Sequence, residues 1–211
     1  MRISIAVPTG ALFEDAVNLL AGAGIAHVQP AQLGRRLLLE KDGVRVILVR
    51  PTDVPAYVDH GAADLGVVGK DVLWESRGVH YELLDLRFGG CRLVVAVPEE
   101  SPLQGPETWP PRLRLATKYP RATAAYMASI SQAVEVVRLH GSVELAPHVG
   151  LADGIVDLTA TGRTLHDNHL RVAAEVGEST ARLIANQASL KTRSEAVQSI
   201  VSRLRADVAA R

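Results

Sequence analysis

The feature that most constrains this chain is a recurring pair: a short, almost wholly apolar run, then a polar turn that opens a helix. RISIAV (2–7) reads as a strand and runs into the helical pattern ALFEDAVNLLAGAG (11–24), with Leu12, Ala16, Leu19 and Leu20 on one stripe and glycines at its end. RRLLLEKDGVRVILVR (35–50) reads as a hairpin turning at Asp42-Gly43. DVPAYVDHGA (53–62) reads as a short helix started by Asp53 with Pro55 in its first turn. DLGVVG (64–69) is continuously apolar after its aspartate, as a strand covered on both faces must be, and KDVLWES (70–76) begins a further helix.

The rhythm restarts after FGG (88–90). CRLVVAVP, RLRLAT, AVEVVRL and GIVDLT read as strands, PRATAAYMASI and VELAPHVGLA as helices, and ESPLQGPETWPP as a Pro-rich surface loop. SLKTRSEAVQSIVSRLRADVAA (189–210) reads as one long amphipathic helix capped by Ser189. Such alternation predicts parallel α/β sheets in two lobes. An internal echo points the same way. GAADLGVVGKDVL (61–73) and GLADGIVDLTATGRTL (150–165) share Gly-x-Ala-Asp, an apolar strand and a polar turn into a helix. If the two are equivalent, each lobe presents a strand-to-helix turn to a common cleft, since ligands of α/β proteins bind at the carboxyl ends of parallel strands.

Composition narrows the classes. At 47% apolar over 211 residues, the chain can build its core without disulfides or metals. Lys plus Arg and Asp plus Glu balance at 23 each, which argues against a nucleic-acid partner, and 4% aromatics leave little for stacking on bases. Cys91, the single cysteine, is expected as a buried structural thiol in a reducing compartment. MRISIAVP enters strand alternation at once, without the apolar core of a signal peptide, and no run of about 18 apolar residues occurs. The expectation is a cytoplasmic protein with no membrane span.

The densest chemistry lies in GIVDLTATGRTL (154–165). A buried strand tipped by Asp157 runs into Thr159, Ala160, Thr161, Gly162, Arg163 and Thr164. Backbone amides and a helix start beyond such a strand make an anion site, and threonine hydroxyls add donors. Arg163 either adds charge or is simply solvated. Asp157 would repel a bare phosphate but can accept hydrogen bonds from two ribose hydroxyls, so the stretch suggests a phosphorylated sugar. It is not a nucleotide P-loop, because the G-x-x-x-x-G-K-[ST] pattern is absent. The alternative for this stretch taken alone is an ordinary cap on a helix after a buried strand.

Several blocks resemble the ATP phosphoribosyltransferases of the first step of histidine biosynthesis. They are RPTDVPAYVDHGAADLGVVGKDVL (50–73), CRLVVAVP (91–98), RLATKYP (114–120), GSVELAPHVGLADGIVDLTATGRTL (141–165) and ARLIANQASLKTR (181–193). The resemblance implies transfer of the phosphoribosyl group of phosphoribosyl pyrophosphate (PRPP) to N1 of ATP, releasing pyrophosphate. It implies a two-lobed fold like the type II periplasmic binding proteins, with the active site in the interlobe cleft. The lobes are expected at 1–88 with 180–211, and at 89–179. By the same resemblance Asp157 meets the ribose hydroxyls and Thr159, Ala160, Thr161, Gly162, Arg163 and Thr164 cradle the 5′-phosphate. Glu144 lies beside the substrates as the second catalytic carboxylate, and Gly10, Arg50, Asp64, Lys70 and Asp71 serve ATP.

Because the chain stops after its tail helix, it resembles the short form of the family. That form implies a separate regulatory subunit resembling histidyl-tRNA synthetase and homodimers of catalytic chains within a hetero-octamer. Mg²⁺ is expected to arrive with the substrate rather than on protein ligands, and neither membrane nor nucleic acid is expected as a partner. His166 and His169 are three apart, with no cysteine or carboxylate cluster to complete a metal site, and Trp74 and Trp109 are expected in packing roles. One departure stands out: PTGAL (8–12) occupies the place of Pro-Lys-Gly-Arg-Leu in many family members. Either Arg50, Lys70 or Lys118 supplies the missing charge, or catalysis is weaker and the chain serves assembly. A solute-binding module of the same architecture is the remaining alternative.

Overall fold

The computed structural model describes residues 3–28, 36–41, 43–78 and 80–210. These form two compact units, Met1–Gly89 with Thr180–Arg211, and Gly90–Ser179. The chain therefore passes from one to the other twice, at Gly89–Gly90 and at Ser179–Thr180.

The first unit holds a six-stranded sheet in the order β2-β3-β1-β4-β11-β5. Its strands are β1 (Ile3–Pro8), β2 (Leu38–Lys41), β3 (Val44–Val49), β4 (Leu65–Gly69), β5 (His80–Asp85) and β11 (Ala181–Asn186). β3, β1 and β4 are mutually parallel; β2, β11 and β5 run antiparallel to their neighbours. The sheet is thus mixed rather than wholly parallel. The β2–β3 hairpin forms, and its turn residue Asp42 lies outside the described residues.

Strand alternation sorts the core onto two faces. Ile3, Ile5 and Val7 of β1 join Leu65 and Val67 of β4 and Leu183 of β11 on one face. There they meet helix α1 (Phe13–Gly22) and the C-terminal helix α7 (Ser194–Ala210), whose Val197, Ile200, Leu204 and Val208 recur at helical spacing. Ala6, Val68 and Ile184 face the other way, onto Val54 and Val58 of helix α2 (Val54–Asp59). Helix α3 (Lys70–Glu75) follows β4 directly.

The predicted long tail helix is in fact two helices, α6 (Gln187–Thr192) and α7, meeting at Arg193. Asn186, not Ser189, caps α6: its side chain accepts the Ser189 amide. Asp53 precedes α2 without a side-chain capping bond.

The second unit holds a five-stranded sheet in the order β10-β6-β9-β7-β8. Its strands are β6 (Cys91–Pro98), β7 (Leu113–Thr117), β8 (Val134–Arg138), β9 (Gly154–Thr159) and β10 (Leu170–Ser179). β9, β7 and β8 are parallel, and β6 and β10 antiparallel. Helix α4 (Pro120–Ser129) follows β7, and the five-residue α5 (Arg163–Asp167) follows β9. VELAPHVGLA forms only a 3-10 turn over Val143–Leu145. Cys91 opens β6 half-buried, not fully buried as expected, whereas Trp109 packs at 8% exposure. Among the described residues no helix is long and apolar enough to cross a membrane.

The echo between 61–73 and 150–165 is structural. Gly61 and Gly150 both have φ of 72°, in the left-handed region, and Ala63 and Ala152 are both buried. The Asp64 amide donates to Ser4 O (2.9 Å) and the Ser4 amide donates to Asp64 Oδ2 (2.7 Å). The Asp153 amide donates to Arg114 O (2.9 Å) and the Arg114 amide donates to Asp153 Oδ2 (2.8 Å). Each aspartate therefore hooks the start of its strand, β4 or β9, onto the parallel strand beside it.

Candidate functional site

Parallel strands deliver their carboxyl ends to one edge of a sheet, and the predicted residues sort by that rule. In the first unit β1, β3 and β4 end together at Pro8, Val49 and Gly69, and the Thr9 amide donates to Val49 O (2.8 Å). Gly10, Arg50, Lys70 and Asp71 follow those ends and share that edge. Gly10 has φ of 83° and is exposed. Arg50 is exposed and forms no ion pair among the described residues. Lys70 is paired with Glu82. Asp71 lies in the first turn of α3.

Asp64 does not belong with them. It sits at the opposite, amino end of β4, 4% exposed, with both carboxylate oxygens occupied. Ser189 Oγ (2.6 Å) donates to one oxygen, Ser4 Oγ (2.8 Å) and the Ser4 amide to the other, and Arg193 to both. Burial pushes this carboxyl up, but the Ser189 and Ser4 hydrogen bonds and the Arg193 charge outweigh it, and its pKa lies below the ordinary value. A carboxylate so enclosed is a structural anchor, which removes Asp64 from the ATP set.

In the second unit β7, β8 and β9 end at Thr117, Arg138 and Thr159. Asp157 lies on β9, 8% exposed, with Leu158 N–H donating to Oδ1 (2.9 Å) and Lys118 Nζ 3.4 Å from Oδ2. Burial raises its pKa, the Lys118 charge and the Leu158 amide act against that, and the Glu144 charge adds to it. Glu144 is half-buried on the 3-10 turn entered through Ser142, whose φ is 45°. Asp157, Glu144 and Lys118 thus form one group. RLATKYP alone leaves Lys118 open between a solvated edge and a phosphate contact; its partner is a carboxylate 39 positions away in sequence.

The turn after β9 is shaped from within. Thr159 Oγ1 accepts the Gly162 amide (2.9 Å), and Thr161 Oγ1 lies 3.4 Å from the Arg163 amide. These hydroxyl oxygens therefore help to close the turn by accepting its amides, and their O–H groups remain donors. Gly162 adopts φ of 79°, with nothing within 4 Å of where a Cβ would stand. Among the described residues no protein acceptor takes the amides of Ala160, Thr161 or Thr164. Three amides without a protein acceptor on one exposed turn are donors available to an anion. The five-residue α5 is too short for its dipole to matter much, so the free amides are what the turn offers an anion. Arg163, its side chain 86% exposed, pairs with Asp167 one helical turn on, so its charge is largely solvated. Gly162→Ala should cost about 1 kcal/mol, because an L-residue there is strained but not crowded. A thermal melt that matches the parent protein would show that the left-handed geometry is dispensable.

His166 and His169 are exposed, and among the described residues no group of three or more His, Cys, Asp or Glu side chains gathers to hold a metal ion.

A family model described as ATP phosphoribosyltransferase matches residues 50–206. An ATP phosphoribosyltransferase of Caldanaerobacter subterraneus subsp. tengcongensis is 48% identical over 205 residues, covering 96% of both chains. One from Rubrobacter xylanophilus is 48% identical over 202 residues, covering 95% of this chain and 94% of that one. Among solved structures, the ATP phosphoribosyl transferase (HisG:HisZ) complex from Thermotoga maritima superposes with a TM-score of 0.82 at 33% identity, covering 99% of this chain and 100% of that one. A periplasmic sulfonate-binding protein from Methylobacillus flagellatus superposes at 0.63 with 15% identity, a likeness of fold alone. The architecture is that of the type II periplasmic binding proteins.

Proposed function

The chain belongs to the ATP phosphoribosyltransferase family, the transferases of the first step of histidine biosynthesis, and from that premise we propose how its residues divide the work. The carboxyl edge of the second unit binds PRPP. The amides of Ala160, Thr161 and Thr164 hold its 5′-phosphate, within a turn kept in shape by Thr159, Thr161 and Gly162. Asp157, with Glu144 beside it, accepts the ribose hydroxyls. The carboxyl edge of the first unit binds ATP through Gly10, Arg50, Lys70 and Asp71. The observation that carries this reading is the juxtaposition of unpaired amides with a buried carboxylate three residues before the first of them. A simple anion site gains nothing from that acid; a sugar phosphate uses both.

The chemistry asks for positioning and charge rather than for a strong base. Displacement at C1′ develops positive character on the ribose ring, and carboxylates fixed near it stabilise that charge more than they stabilise the ground state. Adenine N1 carries no proton near neutral pH, so it attacks without help from a histidine. The leaving pyrophosphate needs its charge neutralised, which Mg²⁺ bound to PRPP supplies. In this reading Asp157 and Glu144 orient the sugar, and Arg50 meets anionic substrate at the edge where Thr9 and Ala11 provide no cation.

A regulatory subunit partners the chain in this reading. The support is the Thermotoga maritima HisG:HisZ complex, which the chain matches along nearly its whole length. Catalytic chains pair as homodimers within a hetero-octamer. The enzyme is cytoplasmic and engages neither membrane nor nucleic acid.

The reaction mixture that tests this contains ATP, PRPP, Mg²⁺ and pyrophosphatase, with and without the regulatory chain. Phosphoribosyl-ATP should appear by absorbance and increase with the partner. Absence of product in both mixtures would overturn the assignment of this chain as the catalytic one.

A further inference from the structure

Lys118 is held more firmly than a surface lysine needs to be. The Thr117 hydroxyl donates to Val156 O (2.7 Å), bolting the end of β7 to β9 one residue before Asp157. The same hydroxyl oxygen accepts the Tyr119 amide (2.8 Å), and Thr123 Oγ1 donates to Tyr119 O (2.7 Å) from the first turn of α4. The backbone on both sides of Lys118 is therefore fixed relative to the strand that carries Asp157. From that position its ammonium reaches Asp157 Oδ2 at 3.4 Å, with side-chain exposures of 37% and 10%.

The surroundings explain why a cation belongs there. Asp157 lies on β9 between β6 and β7, and Val94 of β6, which stands opposite it in the ladder, offers no charge. Glu144, from the 3-10 turn, is a second negative charge acting on it. Arg92 on β6 is in register with Thr159, not Asp157, and pairs with Glu175 on β10. Lys118 is thus the cation that the described residues pair with Asp157, on which the Glu144 charge also acts.

We propose that Lys118 is a positioning residue for PRPP: its ammonium fixes the orientation of the Asp157 carboxylate and keeps it charged, so that both oxygens stand ready for the ribose hydroxyls. The proposal rests on the assignment of Asp157 to the ribose. A buried carboxylate beside a second carboxylate otherwise drifts towards its protonated form, which has fewer lone pairs to offer and a proton that competes. Lys118 acts through Asp157, not on the ligand.

The experiment measures PRPP affinity by calorimetry and kcat/KM for PRPP across pH, with the KM for ATP and the thermal midpoint as controls. The variants are Lys118→Met, Lys118→Arg, Asp157→Asn and the double variant Lys118→Met/Asp157→Asn. Lys118→Met should move the acid limb of kcat/KM for PRPP to higher pH, a loss of roughly tenfold on that limb. It should leave the KM for ATP unchanged and lower the thermal midpoint only modestly, since the lysine side of the pair is partly exposed. Lys118→Arg should restore most of the loss, since any cation at that position serves. In the Asp157→Asn background, Lys118→Met should have no further effect. An unshifted pH profile would overturn the proposal. So would losses that add in the double variant, because they would mean that Lys118 touches the ligand directly. Asp157→Asn binding PRPP as tightly as the parent would instead sink the sugar assignment itself, whatever Lys118 does.

Discussion

Asp157→Asn should lower PRPP affinity by roughly a hundredfold or more while leaving the fold at least as stable as before. Two hydrogen bonds from ribose hydroxyls to an ionised carboxylate are at stake, each contributing about 1.5–3 kcal/mol. Asparagine keeps one acceptor oxygen, so the Leu158 amide stays satisfied, but its NH₂ meets a hydroxyl only as a donor. The stability half of the prediction follows from linkage. Burial raises the Asp157 pKa in the folded state, with Glu144 adding to it against Lys118. A carboxyl whose folded pKa lies above its unfolded value favours folding most at low pH, and that contribution is lost as pH rises through the folded pKa. Near neutral pH the ionised Asp157 therefore costs stability, and a neutral isostere removes the cost. Lys118, a third exposed, is left free to hydrate. Calorimetry with PRPP and thermal melts near pH 7 check both halves. A melt that collapses along with the affinity would mean Asp157 holds the fold together rather than the ligand.

That trade explains what was legible in the sequence and what was not. GIVDLTATGRTL stands out because it breaks a local rule: an apolar strand carries, near its end, an acid that costs stability where it stands. The same text could not show that the Thr159 and Thr161 oxygens accept amides of their own turn, because that depends on where the neighbouring amides point. The parallel cores of both sheets were readable because strands buried on two faces spell continuous apolar runs. β10 was not, because LRVAAEVGES is half-exposed and its register slips between Val172 and Ala174 and between Glu175 and Gly177. β5 and β11 join the first sheet antiparallel at its far side, and nothing local in their sequences announces that pairing. Asp64 was misassigned for a related reason. Its neighbours in sequence place it beside Lys70 and Asp71, but a five-residue strand separates the two ends of β4. Its true partners, Ser4, Ser189 and Arg193, lie 60 to 129 positions away.

The Asp64→Ala exchange should cost about 3–4 kcal/mol of folding stability without changing KM for ATP in the folded fraction. The aspartate ties three pieces of the first unit to one point: the start of β1 through Ser4, the first turn of α6 through Ser189, and the start of α7 through Arg193. Removing one partner of a buried ion pair leaves the other uncompensated, together with a buried serine hydroxyl and amide, which is where losses of this size arise. Arg193 is partly exposed and recovers some hydration, which holds the figure below the upper end of that range. The echo supplies an internal control. Asp153 makes the same main-chain hook in the second unit, but its cation, Arg114, is 42% exposed. Asp153→Ala should therefore cost less, about 1–2 kcal/mol. The pH dependence has a definite sign. Because the folded pKa of Asp64 lies below its unfolded value, its contribution is complete above the ordinary aspartate value of about 3.9 and is lost as pH falls through the folded pKa. Denaturant unfolding of both variants at neutral pH, repeated down to about pH 3, reads all three expectations. The parent should lose more stability on acidification than Asp64→Ala does. Parallel acid profiles, or a larger loss from Asp153→Ala, would show that α6 and α7 are held to β1 by their apolar faces alone.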